Sequence, residues 1–199
     1  MRPGPFRGAC PSRREGLSSP WHPTSRRIVM DAELQARFNA QIALEHAAER
    51  AYLQMSVWAE ARDYNGSATW LRSQAAEEGE HARLFMAHVL DRDGEVTLAP
   101  LEAPRTDFDD LLAVFVAALE HERKVTASIG ELYAAATDAR AYPSLPLLTW
   151  FLEEQVEEEA SVSTVVGELE KIIDDPSAVL LLDRELPGRR AAEAGTDQH

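Results

Sequence analysis

The sequence has a single cysteine, few aromatic residues and no long apolar run. Cys10 is the only cysteine among 199 residues, which excludes an internal disulfide and any zinc or iron–sulfur site built from several thiolates. Aromatic residues make up 7% of the chain, and no apolar run approaches the roughly 20 residues that a membrane-spanning helix needs. Positive charge is also scarce, since 20 Lys and Arg face 34 Asp and Glu for a net charge of −14. This balance disfavours nucleic acid and anionic membranes as partners and favours cations.

The positive charge that is present is concentrated at the start of the chain. Six arginines and one glutamate give residues 1–29 a charge of +5, and five prolines prevent a continuous amphipathic helix there. We expect this segment to be a disordered basic extension, or sequence upstream of a start at Met30. An organelle transit peptide and a basic tail that touches nucleic acid are the alternatives. The prolines argue against the first, and no folded basic surface supports the second.

The rest of the chain is rich in Ala, Leu and Glu and contains no alternating run of β-branched residues, so it reads as helix almost throughout. Caps and breakers predict a tight turn at Asn65-Gly66, a helix start at Thr106 or Asp107, and a stop at Pro187-Gly188. The folded domain is expected over 30–188, with a loose tail over 189–199. The five predicted helices cover about 31–63, 67–92, 106–137, 143–174 and 176–186.

The connection between the second and third helices decides the predicted topology. Residues 94–106 include two prolines and can stretch to roughly 40 Å, which is about the length of one of the long helices. Helices 2 and 3 can therefore run parallel, whereas the shorter turns force antiparallel neighbours. The predicted fold is all-α: a four-helix bundle with a long crossover between helices 2 and 3 and a short fifth C-terminal helix.

Each of the four long helices carries a glutamate in the middle of its apolar stripe. A single such glutamate is ordinarily a surface residue, but four at one level of an apolar core would repel each other and lose hydration. Two divalent cations would balance the four charges, and carboxylates with one imidazole and no thiolate favour iron or manganese. The sequence therefore predicts a dinuclear metal site formed by Glu45, Glu78, His81, Glu122 and Glu158, with Gln155 on the same face of helix 4.

In combination, these motifs resemble the ferritins, and within them the bacterial non-haem ferritins. The resemblance covers about residues 31–188 and rests on ALEHAAERAYLQMS around Glu45, AAEEGEH around Glu78, EHE at Glu122 and EEQVEEE around Glu158. It implies a ferritin-like four-helix bundle in which Glu45, Glu78 and His81 bind one iron. Glu78 would bridge to a second iron that Glu122 and Glu158 also hold.

The resemblance also assigns the surrounding residues. Gln155 would line the site by hydrogen bonding, and Tyr52 would be the neighbouring tyrosine that can supply an electron. Glu77, Glu154 and Glu157 would form a third, weaker iron site. The position after the bridging glutamate, which is the haem-ligating methionine of bacterioferritins, is Gly79, so haem is not implied.

The implied function is iron storage with ferroxidase activity. Fe(II) would be oxidised by O₂ or peroxide, and ferric oxyhydroxide would be stored inside a homo-oligomeric cytoplasmic shell of 24 subunits. One alternative is a diiron oxidase that acts on an organic substrate, although such enzymes usually have a second histidine ligand. A DNA-protecting mini-ferritin and a metal-free helical interaction protein are the others. The site within one chain argues against the former, and the four core carboxylates argue against the latter.

Overall fold

The computed structural model describes residues 30–193, and in that range every regular element is a helix. The all-α prediction is therefore confirmed for this part of the chain, in which no helix is long and apolar enough to cross a membrane. The elements are α1 (Ala32–Glu60), α2 (Asn65–Leu90), α3 (Leu111–Asp138), a 3₁₀ turn (Tyr142–Ser144), α4 (Leu145–Ile172) and α5 (Pro176–Glu193).

Three of the five helices are capped by the aspartate that immediately precedes them. The Asp31 carboxylate accepts from the Glu33 amide at 3.0 Å at the start of α1, and Asp175 accepts from the Ser177 amide at 2.9 Å at the start of α5. Both starts agree with the sequence-based prediction. The start of α3 was placed too early, because the cap is Asp110, which accepts from the Ala113 amide at 2.7 Å.

Burial of an aromatic ring explains the late start of α3. Phe108 lies in the core beside Trp58, with ring centroids 5.8 Å apart. The Arg105 guanidinium lies over the same Phe108 ring, 4.6 Å from its centroid. The chain before Asp110 therefore stays irregular while it packs this side chain.

The predicted turn at Asn65-Gly66 is also wrong by a few residues. The chain reverses over residues 61–64, where Asp63 takes a left-handed φ of 64°, and Asn65 and Gly66 already belong to α2. Gly66 serves a different purpose, because a Cβ there would lie 1.7 Å from the carbonyl oxygen of Asp183 on α5. The glycine permits a close helix–helix approach, not a turn.

Two apolar clusters, one at each end of the bundle, establish the helix directions. One contains Phe38 from the first half of α1, Phe85 from the second half of α2, Ile129 from the second half of α3 and Leu148 from the first half of α4. The other contains the opposite halves of the same four helices. Helices α2 and α3 are therefore parallel, and the connection 91–110 runs the length of the bundle, as the sequence predicted.

The fifth helix is longer than predicted, since Pro187 lies inside it and it continues to Glu193. A proline donates no hydrogen bond to the carbonyl four residues earlier. In α5 this is the Asp183 carbonyl, which packs against Gly66. Beyond the proline, Arg189 donates to Glu168 on α4 at 2.7 Å and to Glu185 at 3.1 Å. These contacts attach Arg189, the first residue of the expected loose tail, to α4. The looseness of the tail itself stays a prediction. The predictions for residues 1–29 and 194–199 lie outside the described residues.

Candidate metal centre

The first acidic residue of the site comes from the middle of α1. Glu45 is fully buried, because it lies on the stripe that also carries Phe38, Ile42 and Tyr52. One carboxylate oxygen, Oε1, accepts a 2.7 Å hydrogen bond from Gln41 Nε2, one helical turn earlier. The other, Oε2, is buried and has no hydrogen-bond partner among residues 30–193.

Helix α2 supplies a carboxylate and an imidazole one turn apart. Glu78 and His81 are both buried, with exposed fractions of 1% and 3%. His81 Nδ1 lies 3.5 Å from Glu78 Oε2, yet neither atom has a hydrogen-bond partner in the described part of the chain. With Glu45, these side chains place three potential ligand atoms within 4.8 Å of one another.

Helices α3 and α4 complete the buried centre. Glu122 is fully buried and accepts a very short hydrogen bond from the Tyr52 hydroxyl on α1. Its second oxygen accepts from Gln155 Nε2 at 3.2 Å. Glu158, one turn after Gln155, is 3% exposed and accepts from Gln74 Nε2 at 2.8 Å. The four glutamates that the sequence placed at one level are thus all buried in the same part of the core.

Burial and mutual repulsion disfavour the charged form of these carboxyl groups. Desolvation, followed by the charge of a neighbouring glutamate, raises the pKa of Glu45, Glu78 and Glu158 well above the usual range. Desolvation also raises the pKa of Glu122, although the hydrogen bonds from Tyr52 and Gln155 oppose it. The pKa of His81 is lowered by burial, so its imidazole is neutral at pH 7 and has a lone pair for a metal.

The orphaned atoms fit a divalent cation. Buried ligand atoms without hydrogen-bond partners are costly in a folded core. Among the described residues, the centre has three such atoms: Glu45 Oε2, Glu78 Oε2 and His81 Nδ1. Carboxylate oxygens with one imidazole nitrogen suit iron or manganese. A bound cation would satisfy all three atoms and offset the carboxylate repulsion that raises the pKa values.

A second group of possible ligands lies at the edge of the centre. Glu77, His81 and Glu154 each place a ligand atom within 4.8 Å of the others, and all three line an open cleft of about 580 Å³ between α2 and α4. The two glutamates are half-buried. Glu157, which the sequence analysis assigned to the same third site, is exposed and belongs to neither group of possible ligands.

Two glutamines of the centre were missing from the sequence-based site. Gln41 precedes Glu45 by four residues and Gln74 precedes Glu78 by four, so each lies on the same helix face as a candidate ligand. Both are buried and donate to a carboxylate of the site. The repeated Gln-x-x-x-Glu spacing was the signal that could have identified them.

Comparisons with known proteins agree with this architecture. Residues 35–172 match the ferritin-like domain family. The chain is 33% identical over 161 residues to a bacterial non-heme ferritin of Staphylococcus epidermidis, covering 81% of this chain and 97% of the relative. It is 31% identical over 148 residues to a probable bacterial non-heme ferritin-like protein of Haemophilus influenzae, covering 74% and 90%. Among solved structures, an open pore ferritin from Archaeoglobus fulgidus matches with a TM-score of 0.78 and 35% identity, covering 79% of this chain and 96% of that one.

Proposed function

Because this chain belongs to the ferritin family, we propose that it is an iron-storage protein with ferroxidase activity. It oxidises Fe(II) to Fe(III) at the buried centre with O₂ or peroxide and retains the product as ferric oxyhydroxide inside a shell of 24 chains in the cytoplasm. The observation that carries this proposal is the set of three orphaned ligand atoms on Glu45, Glu78 and His81. A bound cation would satisfy these atoms, and no other side chain among the described residues forms a hydrogen bond with them.

The proposal gives each residue of the centre a separate task. Glu45, Glu78 and His81 bind the first Fe(II) ion, and Glu78 is shared with a second ion that Glu122 and Glu158 also bind. Gln155 does not need to touch iron, because its amide holds Glu122 through a 3.2 Å hydrogen bond. Fixed carboxylates of this kind keep a two-metal site assembled while the ions change charge.

The proposed role of Tyr52 is the transfer of a proton and an electron. Bound Fe(II) supplies electrons that reduce the oxidant, and we propose that Tyr52 can supply one more. The phenol is fully buried and already donates to Glu122, so its proton can pass to that carboxylate when the electron leaves. Burial and the nearby carboxylates raise the pKa of Tyr52 well above its usual value, which keeps the phenol protonated between turnovers.

The outer group is proposed as a third, weaker iron site. Glu77 and Glu154 contribute carboxylates beside His81, and Glu157 lies one turn beyond Glu154 on α4. Partial exposure weakens the electrostatic attraction for a cation. This site therefore binds Fe(II) less tightly than the buried centre, and its residues line the open cleft.

Replacement of the shared ligand tests the assignment. We expect Glu78→Ala to slow Fe(II) oxidation by about 100-fold or more, because loss of even an outer-shell partner commonly costs 10- to 100-fold. Stopped-flow absorbance of the ferric product after aerobic mixing would measure the rate. Glu80→Ala is the matched control, since Glu80 lies two residues away on α2 but is exposed.

Assembly should be recorded for both variants by native mass. Oxidation at the original rate in an assembled Glu78→Ala protein would refute the site assignment. Equal loss of oxidation in Glu80→Ala would also refute it, because the effect would then not be specific to the buried carboxylate.

A further inference from the structure

Glu45 is held by a chain of hydrogen bonds that begins on another helix. Gln41 Nε2 donates to Glu45 Oε1 at 2.7 Å. The carbonyl oxygen of the same amide accepts a 2.5 Å hydrogen bond from the Ser128 hydroxyl. Ser128 lies on α3, whereas Gln41 and Glu45 lie on α1. One amide therefore connects the carboxylate to a side chain of a neighbouring helix.

Both ends of the Gln41 amide are used in this chain. Gln41 is 1% exposed, so its amide depends on protein partners. Rotation of the amide by 180° would place its carbonyl oxygen against the acceptor oxygen of Glu45, which disfavours that orientation. The Ser128 hydroxyl satisfies the end of the amide that points away from Glu45. Without it, a buried carbonyl would lose its donor, which is a costly change in a folded core.

Gln74 on α2 shows a similar amide that lacks such a hydroxyl. It is also fully buried, and its Nε2 donates to Glu158 at 2.8 Å. Its carbonyl oxygen has no hydrogen-bond partner in the part of the chain that the structure describes, and its Nε2 also lies 3.5 Å from a carboxylate oxygen of Glu77. The Gln74 amide is thus shared between two carboxylates, whereas the Gln41 amide is anchored and faces one.

The anchored amide leaves one oxygen of Glu45 for an ion. Oε1 accepts from Gln41, and Oε2 is the buried oxygen that has no hydrogen-bond partner among the described residues. Glu45, Glu78 and His81 each place a possible ligand atom within 4.8 Å of the others. A hydrogen bond behind a ligand fixes its orientation, and loss of such a partner commonly costs 10- to 100-fold in metal affinity.

We propose that Ser128 is a positioning residue for the first iron: its hydroxyl holds the Gln41 amide, and the amide holds Glu45 with Oε2 towards the ion. This inference rests on the proposed function. Ser128 acts without touching the ion, because Gln41 lies between it and the ligand. Since α3 also carries Glu122, a proposed ligand of the second ion, this one helix positions ligands of both ions.

Anaerobic titration with Co(II) alone, followed by calorimetry and absorption, tests the positioning role without any oxidation. We expect Ser128→Ala to weaken binding of the first Co(II) ion by about tenfold. Ser128→Thr retains the hydroxyl and should bind Co(II) as the unaltered protein does. Ser56→Ala is the matched control and should also leave binding unchanged, because Ser56 is a fully buried serine whose hydroxyl donates to the Leu53 carbonyl of its own helix at 2.7 Å.

A double-mutant cycle separates positioning from a general structural effect. Gln41→Met retains the length of the side chain but removes the amide. If Ser128 acts through that amide, Ser128→Ala should cause no further loss of Co(II) binding in the Gln41→Met protein.

Three results would overturn the inference. One is Co(II) binding by Ser128→Ala that matches the unaltered protein. Another is an equal loss in Ser128→Ala and Ser128→Thr, because the hydroxyl would then not be the cause. The third is a full additional loss when Ser128→Ala is combined with Gln41→Met, because the serine would then act independently of the amide.

A crystal of the unaltered protein soaked in Co(II) gives a test that does not depend on how the variants fold. We expect Co(II) at bonding distance from Glu45 Oε2 while Gln41 Nε2 remains bonded to Oε1. Co(II) bound by both oxygens of Glu45, with the Gln41 hydrogen bond broken, would overturn the inference. If the unaltered protein oxidises Fe(II) rapidly but Ser128→Ala binds Co(II) equally well, only this inference fails. If the unaltered protein does not oxidise Fe(II), the proposed function fails instead.

Discussion

At the scale of single residues, burial and mutual repulsion shift the carboxyl groups of the centre towards their protonated form. Glu45, Glu78 and Glu158 have raised pKa values because burial removes their hydration and neighbouring glutamates repel the charge. Hydrogen bonds from Gln41 and Gln74 offset only part of this cost. Without a cation, the folded chain therefore retains protons that the unfolded chain releases near pH 4.5.

The stability of the metal-free protein should reflect these raised pKa values. A group whose pKa is higher in the folded state contributes stability below its unfolded pKa, and that contribution is lost as pH rises through its folded pKa. Glu45→Gln, which cannot ionise, should therefore stabilise the metal-free protein at pH 8 by about 1 kcal/mol or more, with little effect near pH 4.5. Urea unfolding of both proteins across this range would measure the difference.

Glu33→Gln on the same helix is the control, because Glu33 is exposed. A pH dependence that is the same in Glu45→Gln and in the unaltered protein would contradict the assignment of a raised pKa to Glu45.

At the scale of elements, α5 is attached to α2 by a side chain of α5 that caps the start of α2. The buried Asp183 carboxylate accepts from the amides of Gly66 at 3.1 Å and Ser67 at 2.7 Å, in the first turn of α2. It also accepts from the Ser67 hydroxyl at 2.7 Å. Tyr64, the residue at the cap position of α2, makes no side-chain capping bond. The start of α2 therefore depends on a carboxylate more than a hundred residues away in the chain.

Removal of this cap should destabilise the protein and loosen α5. Asp183→Ala is expected to cost about 1–2 kcal/mol, the range for loss of a good N-cap. Gly66→Ala should displace α5, because the new Cβ would lie 1.7 Å from the Asp183 carbonyl oxygen. Urea unfolding would give the free energy, and limited proteolysis would report exposure of α5.

Gly167→Ala is the matched control, because a Cβ there meets no atom of another described element within 4 Å. It should stabilise α4 slightly, since alanine favours helix more than glycine by roughly 1 kcal/mol. If Gly66→Ala is no more sensitive to protease than Gly167→Ala, the close contact between α2 and α5 is not important for docking.

At the scale of the whole molecule, the bundle leaves apolar side chains on its surface. Leu53 and Val57 lie one turn apart on α1, and Leu180 and Leu181 lie on α5; all four are exposed. Apolar surface of this kind is commonly covered by other subunits. It supports the proposed shell, whose acidic chains would attract Fe(II).

Assembly and iron capacity can be measured together. A shell of 24 chains of 22.1 kDa should have a mass on the order of half a megadalton. After addition of excess Fe(II) in air, it should keep far more than two irons per chain in solution. Light scattering and iron analysis of the same fraction would measure both. A small oligomer that stops at two irons per chain would contradict storage and indicate a diiron enzyme with another substrate.

Much of the fold and most of the buried centre could be predicted from local sequence patterns. The caps Asp31 and Asp175 were identifiable because capping acts over two or three residues. Glu45, Glu78, Glu122 and Glu158 were identifiable because each interrupts an apolar stripe of regular period. Their assigned roles as iron ligands remain predictions, and so does the inclusion of Glu157 in the third site.

What the sequence by itself determined was the number of long helices, the crossover and the stripe on which each acidic residue lies, since these follow from helical period and segment length. Only the tertiary structure decided the features that depend on contacts between residues far apart in the sequence. Gly66 looked like a turn residue and Pro187 like a helix stop, but Gly66 lies inside α2 where α5 approaches it closely, and α5 continues past Pro187 to Glu193. The buried carbonyl oxygen of Gln74 has no hydrogen-bond partner among the described residues. This too is visible only in three dimensions, because a hydrogen bond depends on which side chains other helices bring within reach.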